Sequence, residues 1–288
     1  MDDGSVDPVN EALRAPEAPP VAALQPRPGE LAVVSDRVAD AVAGPVAGLL
    51  FCGGFHSSMQ GTKALRCRAF AQRHRLDCHR FDYRGHGASP GNAAALGIEH
   101  WLNDTLSVLD GVSGAQLLIG SSMGAWLALL AARARPDRVA GVLTLAAAPD
   151  FTERLMRPAL SAAQRDALGA GRLAFRHSEW DENPWPLPPV LLDSGRRLSI
   201  LSPVNALAPA PLGCPLSVLH GTADTDVPPA LSLELFAALG SRHDELVLLH
   251  GADHRLSDPQ ALGVFERTLQ ALLARANVTG PPPGRPRR

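Results

Sequence analysis

The sequence predicts an α/β fold in which a mostly parallel central sheet carries helices on both faces. Short apolar runs alternate with longer segments whose apolar residues recur at helical spacing. Most of the apolar runs end in loops that contain glycine, as strands do in parallel crossover units. A chain of 288 residues, of which 45% are hydrophobic, is long enough to bury one full core of this kind.

The predicted elements follow one another in order along the chain. Strands are expected at residues 31–38, 46–52, 78–83, 117–119, 139–146, 216–219 and 245–249, and helices at 62–75, 97–112, 150–168, 230–239 and 264–274. A further helix follows residue 124 and ends at Arg135, because Pro136 cannot continue it. Apolar residues on one face support the helices, with Leu65 and Phe70 in the first and Trp101 in the second.

Three parts of the chain lie outside the expected core of residues 29–149 and 212–276. Residues 1–28 are rich in proline, alanine and acidic side chains, so we expect a disordered arm. Residues 150–211 interrupt the alternation with a segment rich in proline and tryptophan. We expect this insertion to cap the carboxyl edge of the sheet, the alternative being an excursion without substrate contacts. Residues 277–288 form the expected flexible tail.

Composition argues against several classes of function. The formal net charge of −2 creates no field that favours nucleic acid or an anionic membrane surface. The uncharged segment 115–132 is interrupted by glycine and serine, so we expect no membrane span. The scattered cysteines lack metal-binding spacing, which favours free thiols in a reducing compartment. Because the chain begins with acidic and polar residues, the expected location is the cytoplasm.

The segment 116–130 contains the strongest functional motif. Gly120, Ser122 and Gly124 form a Gly-x-Ser-x-Gly pattern between a short apolar run and a run with helical spacing. A nucleophile elbow requires this context, since a sharp strand-to-helix turn strains its central residue and leaves no room for side chains two residues away. We therefore predict Ser122 to be a nucleophile at the carboxyl edge of the sheet.

A serine hydroxyl needs a base, and the base needs a carboxylate that fixes its tautomer. The loop after the next-to-last strand offers Asp224 and Asp226, and we favour Asp224 because it lies nearer the strand end. The loop after the last strand offers His250 and His254, and we favour His254 because His250 continues the strand pattern. These side chains and the serine would meet at one edge of the sheet.

His86 is a further candidate for the base, but we favour a structural interpretation for it and for His220. His86 lies between two glycines in a loop where we expect Asp82 and Arg84 to form an ion pair that fixes the backbone. His220 ends a strand immediately before a glycine.

An oxyanion hole requires two backbone N–H groups that point at the developing negative charge. One should come from Met123, directly after the predicted nucleophile. The other should come from the loop after residues 46–52, where Gly53 and Gly54 leave the backbone accessible and Phe55 is the expected donor.

With these motifs identified, the sequence resembles the α/β-hydrolase superfamily over residues 31–274. It is similar to a branch of thioesterases and esterases that includes a mitochondrial palmitoyl-protein thioesterase and bacterial relatives. The matching stretches are residues 80–89, 120–130, 146–153, 220–228 and 253–257. The resemblance implies a triad of Ser122, Asp224 and His254. The sequence departs from the branch at Gly53-Gly54 and at Ala125, where relatives usually carry other residues.

The combined expectation is a cofactor-independent serine hydrolase that cleaves a small-molecule carboxylic ester or thioester through an acyl-enzyme on Ser122. We find neither metal-ligand spacing nor a dinucleotide-binding glycine loop, so we expect no cofactor and no metal. A peptidase or a carbon-carbon bond hydrolase would use the same triad. A non-catalytic ligand-binding protein of the same fold would have lost a member of it.

Overall fold

The computed structural model describes residues 25–279, apart from residue 28 and residues 40–43, 179–180 and 202–210, and describes no side chain between residues 177 and 183. Its strands are β1 (Ala32–Asp36), β2 (Gly48–Cys52), β3 (Asp77–Asp82), β4 (Gln116–Ser121), β5 (Val139–Leu145), β6 (Ala174–Ser178), β7 (Asp181–Leu187), β8 (Leu216–Gly221) and β9 (Glu245–Leu249). Seven of them form one sheet in the order β1-β3-β2-β4-β5-β8-β9. Only β1 is antiparallel to its neighbour, which confirms the predicted mostly parallel sheet.

The helices connect the strands and flank the sheet. They are α1 (Thr62–His74), α2 (Ile98–Gly111), α3 (Met123–Ala134), α4 (Arg157–Ala159), α5 (Ala162–Gly169), α6 (Pro189–Arg197), α7 (Pro229–Leu239) and α8 (Pro259–Thr279). Within the described parts of the chain, none of these helices combines the length and the apolar character that crossing a membrane would require.

The last helix is longer than the sequence analysis predicted. It begins at Pro259, directly after Asp258, whose carboxylate accepts the N–H groups of Gln260 and Ala261 and so caps the helix. It ends at Thr279 and thus includes the first residues of the predicted tail. The rest of that tail and nearly all of the predicted arm lie outside the described residues.

Alternating side chains on the buried strands build a core on each face of the sheet. Leu49 on β2 and Leu117 on β4 belong to the cluster that packs against α1 and α8. Their neighbours Leu50 and Leu118 belong to the cluster that packs against α2, α3 and α7. Each of these four side chains is fully buried, as expected for central strands of a sheet that is covered on both sides.

The insertion between β5 and β8 differs from the continuous helix predicted for residues 150–168. A π-helical turn, Thr152–Met156, leads into the short α4, and the chain becomes extended at Leu160. Ser161 then caps α5, because its hydroxyl accepts the Gln164 N–H while the Gln164 side chain accepts the Ser161 N–H. This capping box is the sequence signal that marks the break.

The insertion also contains a hairpin that the sequence analysis did not predict. Strands β6 and β7 pair antiparallel and form a separate two-stranded sheet. Pro184 and Pro186 on β7 obscured the strand pattern, because proline lacks the N–H group that a central strand would need. A two-stranded sheet has only edge strands, so it tolerates both prolines.

A buried carboxylate joins the first residue of the insertion to residues 199–201. Asp150 is fully buried with a left-handed φ of 55°, and its oxygens accept the Ser199 hydroxyl and the N–H groups of Ile200 and Leu201 over 2.5 to 2.8 Å. Trp126 on α3 adds a hydrogen bond from its indole N–H to the Leu198 carbonyl. The insertion is therefore fixed where it leaves the sheet.

Candidate active site

Ser122 lies at the corner where β4 ends and α3 begins. Its φ of 54° and ψ of −118° form a strained conformation for a residue that has a Cβ atom. Its N–H donates to the Leu145 carbonyl over 2.9 Å, and its carbonyl accepts the N–H groups of Ala125 and Ala148. These bonds hold Ser122 half-buried at the carboxyl edge of the sheet, at the positive end of α3.

Close packing explains the two glycines that flank Ser122. A Cβ atom on Gly120 would lie 2.4 Å from the Ala125 Cα atom, and one on Gly124 would lie 2.2 Å from the Cys52 carbonyl oxygen. Non-bonded atoms do not approach this closely, so larger residues would push the strand and the helix apart. The steric requirement predicted from the motif is met at both positions.

His254, in the loop after β9, connects the serine to an acid. Its Nε2 atom lies 3.1 Å from Ser122 Oγ, and its Nδ1 atom lies 2.7 Å from Asp224 Oδ2. Because a carboxylate can only accept, we assign the proton to Nδ1, which leaves Nε2 to accept from the serine hydroxyl. The structure thus brings the three predicted side chains into one hydrogen-bonded chain.

Asp224 is buried in the loop after β8 and accepts four hydrogen bonds. Its Oδ1 atom accepts the N–H groups of Asp226 and Val227, and its Oδ2 atom accepts from His254 and, over 2.9 Å, from His220. Burial acts to raise the pKa of Asp224, but the hydrogen bonds from His220 and His254 outweigh it and hold the pKa below its ordinary value. The carboxylate is therefore ionised at neutral pH.

His220 contacts the acid in a way that the sequence analysis missed. It is fully buried, and its Nε2 atom faces the Val227 carbonyl over 3.0 Å as well as the Asp224 carboxylate. Two acceptors identify Nε2 as the protonated nitrogen, so the Ser232 hydroxyl donates to Nδ1. The spacing of four residues between His220 and Asp224 is the signal that could have indicated this contact.

The rival residues take other positions. Asp226 is exposed and contributes only its backbone N–H to Asp224. His250 is exposed in the turn directly after β9. His86 is buried, and its Nδ1–H donates to the Arg84 carbonyl over 3.3 Å.

The expected ion pair between Asp82 and Arg84 is wrong. Asp82 accepts the N–H groups of Met59 and Ala88 over 2.6 and 2.9 Å, which fixes the loops after β2 and β3 together. Arg84 instead binds the fully buried Asp104 on α2, with its Nε atom 2.7 Å from the carboxylate. Each charged group finds a partner from another element, which residue spacing alone does not reveal.

The loop after β2 passes beside the serine. A Cβ atom on Gly54 would lie 3.4 Å from the Ser122 Cβ atom. The N–H groups of Phe55 and Met123 have no acceptor among the described residues. Met123 is the first residue of α3, where helical geometry leaves N–H groups unpaired. Both predicted oxyanion donors therefore have unpaired N–H groups.

Aromatic side chains connect the insertion to this loop. Trp185 on β7 stacks on His56, with ring centroids 4.4 Å apart and an interplanar angle of 19°. It also meets Phe55 edge to face at 5.4 Å, and Phe151 lies 5.9 Å from Phe55. The insertion thus packs against the segment that carries one of the free N–H groups.

Asp224, Asp226 and His254 also form the one group of possible metal ligands within the described parts of the chain, with their ligand atoms within 4.8 Å of one another. Asp224 and His254 already bind each other through Oδ2 and Nδ1, so a metal ion that took either of these atoms would weaken that hydrogen bond. The geometry therefore suits proton transfer better than metal binding.

Known proteins are similar to this chain in sequence and in architecture. The chain is 31% identical over 241 residues to the mitochondrial palmitoyl-protein thioesterase ABHD10 of Mus musculus, covering 83% of this chain and 79% of the relative. The solved structure of the mouse protein has a TM-score of 0.71 and covers 85% of this chain and 94% of its own. A crystal structure from Agrobacterium vitis S4 has a TM-score of 0.76 at 33% identity and covers 84% of this chain and 92% of its own.

The relatives correct one expectation. The predicted cytoplasmic location is contradicted, because the similar proteins from mouse, orangutan and human are all named as mitochondrial. The prediction rested partly on free cysteines, and the described cysteines are indeed buried thiols. Reduced thiols fit any reducing compartment, so they could not distinguish the cytoplasm from another one.

The match to a known protein family covers the strand, the corner and the helix around Ser122. The alpha/beta hydrolase family matches residues 48–267, which include the corner and the three loops that carry Phe55, Asp224 and His254. Because this match spans most of the sequence and the relatives exceed 30% identity, the chain belongs to the alpha/beta hydrolase family.

Proposed function

We propose that this chain is a serine hydrolase that cleaves carboxylic ester or thioester bonds through an acyl-enzyme on Ser122. One observation carries the proposal: the unbroken hydrogen-bonded chain from Ser122 Oγ through the His254 imidazole to the Asp224 carboxylate. Relatives named as thioesterases support the same reaction class.

In the first half of the reaction, Ser122 Oγ attacks the substrate carbonyl carbon and its proton passes to His254 Nε2. Asp224 holds the Nδ1–H and stabilises the imidazolium that forms. The N–H groups of Phe55 and Met123 bind the negative oxygen of the tetrahedral intermediate. Each such donor lowers the barrier by about 3 kcal/mol in measured cases.

Collapse of the intermediate breaks the bond to the leaving group, and the imidazolium returns its proton to the departing alcohol or thiol. Water then attacks the acyl group on Ser122, with His254 again as base, and the carboxylic acid leaves. Apart from the substrate and water, these steps need only side chains and backbone groups of this chain, and no cofactor takes part.

Residues 150–211 act as a cap over this site. The packing of Phe151 and Trp185 against Phe55 and His56, beside the corner at Ser122, supports this role. The half-buried rings of Phe55 and Trp185 offer an apolar wall to the acyl part of a substrate. The substrate is accordingly a small acyl ester or thioester with an apolar acyl group.

Labelling with a fluorophosphonate probe tests the nucleophile. We expect labelling of the native chain, none of Ser122→Ala, and full labelling of Ser121→Ala, which removes the neighbouring hydroxyl. Hydrolysis of p-nitrophenyl esters by Ser122→Ala should fall by about four to six orders of magnitude. Undiminished labelling of Ser122→Ala would refute the assignment.

Substrate series test the bond that is cleaved. We expect hydrolysis of p-nitrophenyl esters and acyl thioesters of increasing chain length, with kcat/KM far above that for matched amides. A preference for amides would identify a peptidase while leaving the triad intact. Absence of turnover on every series, with an intact fold, would identify a non-catalytic ligand-binding protein.

A further inference from the structure

Lys63 is the only lysine in a sequence that contains 27 lysine and arginine residues together. It is the second residue of α1, which follows the loop that carries Phe55. The side chain is half-buried. This position places an amine close to the active-site edge of the sheet.

The Lys63 amine reaches across to the loop that carries His254. Its Nζ atom donates to the Arg255 carbonyl over 2.5 Å, a contact between residues 192 positions apart in the sequence. Arg255 directly follows His254. The bond therefore joins the oxyanion side of the site to the segment that carries the base.

Several further bonds near Arg255 lie within its own loop. The N–H groups of Arg255 and Leu256 donate to the Asp253 carboxylate, and the Ser257 hydroxyl donates to the Arg255 carbonyl. Leu256 has a left-handed φ of 47°, which is unfavourable for a leucine. The buried Leu256 side chain anchors this strained turn in the core, and the Lys63 bond adds a polar link from a different element to the carbonyl directly before Leu256.

The charges that face the Lys63 amine make its ionisation sensitive to this loop. Burial and, to a smaller extent, the Arg255 guanidinium lower the pKa of Lys63 to about 8, although the carboxylates of Asp253 and Asp224 act in the opposite direction. The amine thus loses its positive charge in the mildly alkaline range.

We infer that Lys63 is a positioning residue for His254, because its ammonium group holds the Arg255 carbonyl and thereby the loop that presents the imidazole to Ser122. The inference rests on the proposed function. It concerns the placement of the base and assigns Lys63 no contact with the substrate.

Kinetics of three variants test this role. Lys63→Met should lower kcat on a p-nitrophenyl ester about tenfold, the size expected for loss of a charge-assisted hydrogen bond, while KM stays within about twofold. Lys63→Arg, which keeps a donor and a permanent charge, should recover most of kcat. Leu65→Met, an exposed position on the same helix, is the matched control and should behave as the native chain.

The pH profile separates positioning from simple packing. The native kcat should fall as pH rises through about 8, because the amine loses the proton that it donates. Lys63→Arg should lack this alkaline decrease, since guanidinium stays protonated. Native kcat in Lys63→Met overturns the inference, as does an equal loss in both variants accompanied by a lower melting temperature.

Chemical modification of the folded protein provides a second measurement that does not depend on a variant folding. N-hydroxysuccinimidyl acetate transfers its acetyl group to an unprotonated amine and releases N-hydroxysuccinimide, which takes the proton that the amine loses. Lys63 is the only side-chain amine in the sequence. Acetylation should lower kcat of the native chain about tenfold, as Lys63→Met does, and should leave Lys63→Arg unchanged. Equal sensitivity of the two proteins overturns the inference. Retained activity in Ser122→Ala would instead overturn the proposed function.

Discussion

The loops after β3 and β9 each carry a histidine at the carboxyl edge of the sheet, but the two side chains have opposite surroundings. His254 is bound by the Asp224 carboxylate at Nδ1 and faces Ser122 at Nε2. His86 donates from Nδ1 to the Arg84 carbonyl, and its Nε2 atom has no partner among the described residues. A carboxylate partner, rather than a glycine-rich loop, distinguishes the candidate base.

Burial also distinguishes His86 from His254. Only 3% of His86 is exposed, and the rings of Phe55, Tyr83 and Trp101 surround it. Burial lowers the pKa of His86 to about 4, because the cationic form loses its hydration, and the bond to the Arg84 carbonyl offsets only part of this shift. The imidazole of His86 thus stays neutral in the folded protein and serves packing.

The largest effect should come from removing the histidine that has an acid partner. His254→Ala should lower kcat by about four to six orders of magnitude, because Ser122 loses its base. His86→Ala is the matched comparison and should keep kcat within about tenfold while lowering the melting temperature, since it leaves a buried cavity. Ester hydrolysis and thermal unfolding measure the two effects. Equal catalytic losses would contradict the distinction between the loops.

A smaller catalytic effect should follow when His254 loses only its carboxylate. Asp224→Asn should lower kcat by about three to four orders of magnitude, because the amide no longer stabilises the imidazolium or fixes the productive tautomer. Asp226→Asn is the control, since its side chain is exposed and its backbone N–H is unchanged. A loss of kcat in Asp226→Asn as large as that in Asp224→Asn would contradict the assignment of Asp224 as the acid.

The smallest expected effect concerns the pH dependence of stability, and it comes from His86. Below its ordinary pKa of 6.5 the unfolded chain protonates His86, whereas the folded chain does not until about pH 4. Stability should therefore fall as pH decreases through this window, by up to about 3 kcal/mol from this residue.

His86→Asn should make that decrease shallower, because asparagine can keep the donor to the Arg84 carbonyl without titrating. Urea unfolding between pH 7.5 and pH 4 measures the slope. His250→Asn, an exposed position, should leave the slope unchanged. A native slope in His86→Asn would show that other groups cause the acid sensitivity.

Local chemistry explains why much of the fold was predictable. The steric clash that excludes side chains at Gly120 and Gly124 involves residues within the motif or on the adjacent strand, so the pattern alone indicated the corner at Ser122. Strand and helix periodicities were equally clear, because the buried strands are apolar on both faces. The insertion was less predictable, since its capping box and its proline-containing hairpin follow weaker signals.

The sequence by itself determined the alternation of strands and helices, the strained corner and the short sets of residues from which an acid and a base could come. The tertiary structure decided which of them meet: it joined Asp224 to both His220 and His254, Arg84 to Asp104, and Lys63 to the Arg255 carbonyl. The physical reason is the separation along the chain over which each kind of interaction acts. Steric and periodic constraints act between near neighbours in the chain, whereas hydrogen bonding and burial depend on groups that only folding brings together.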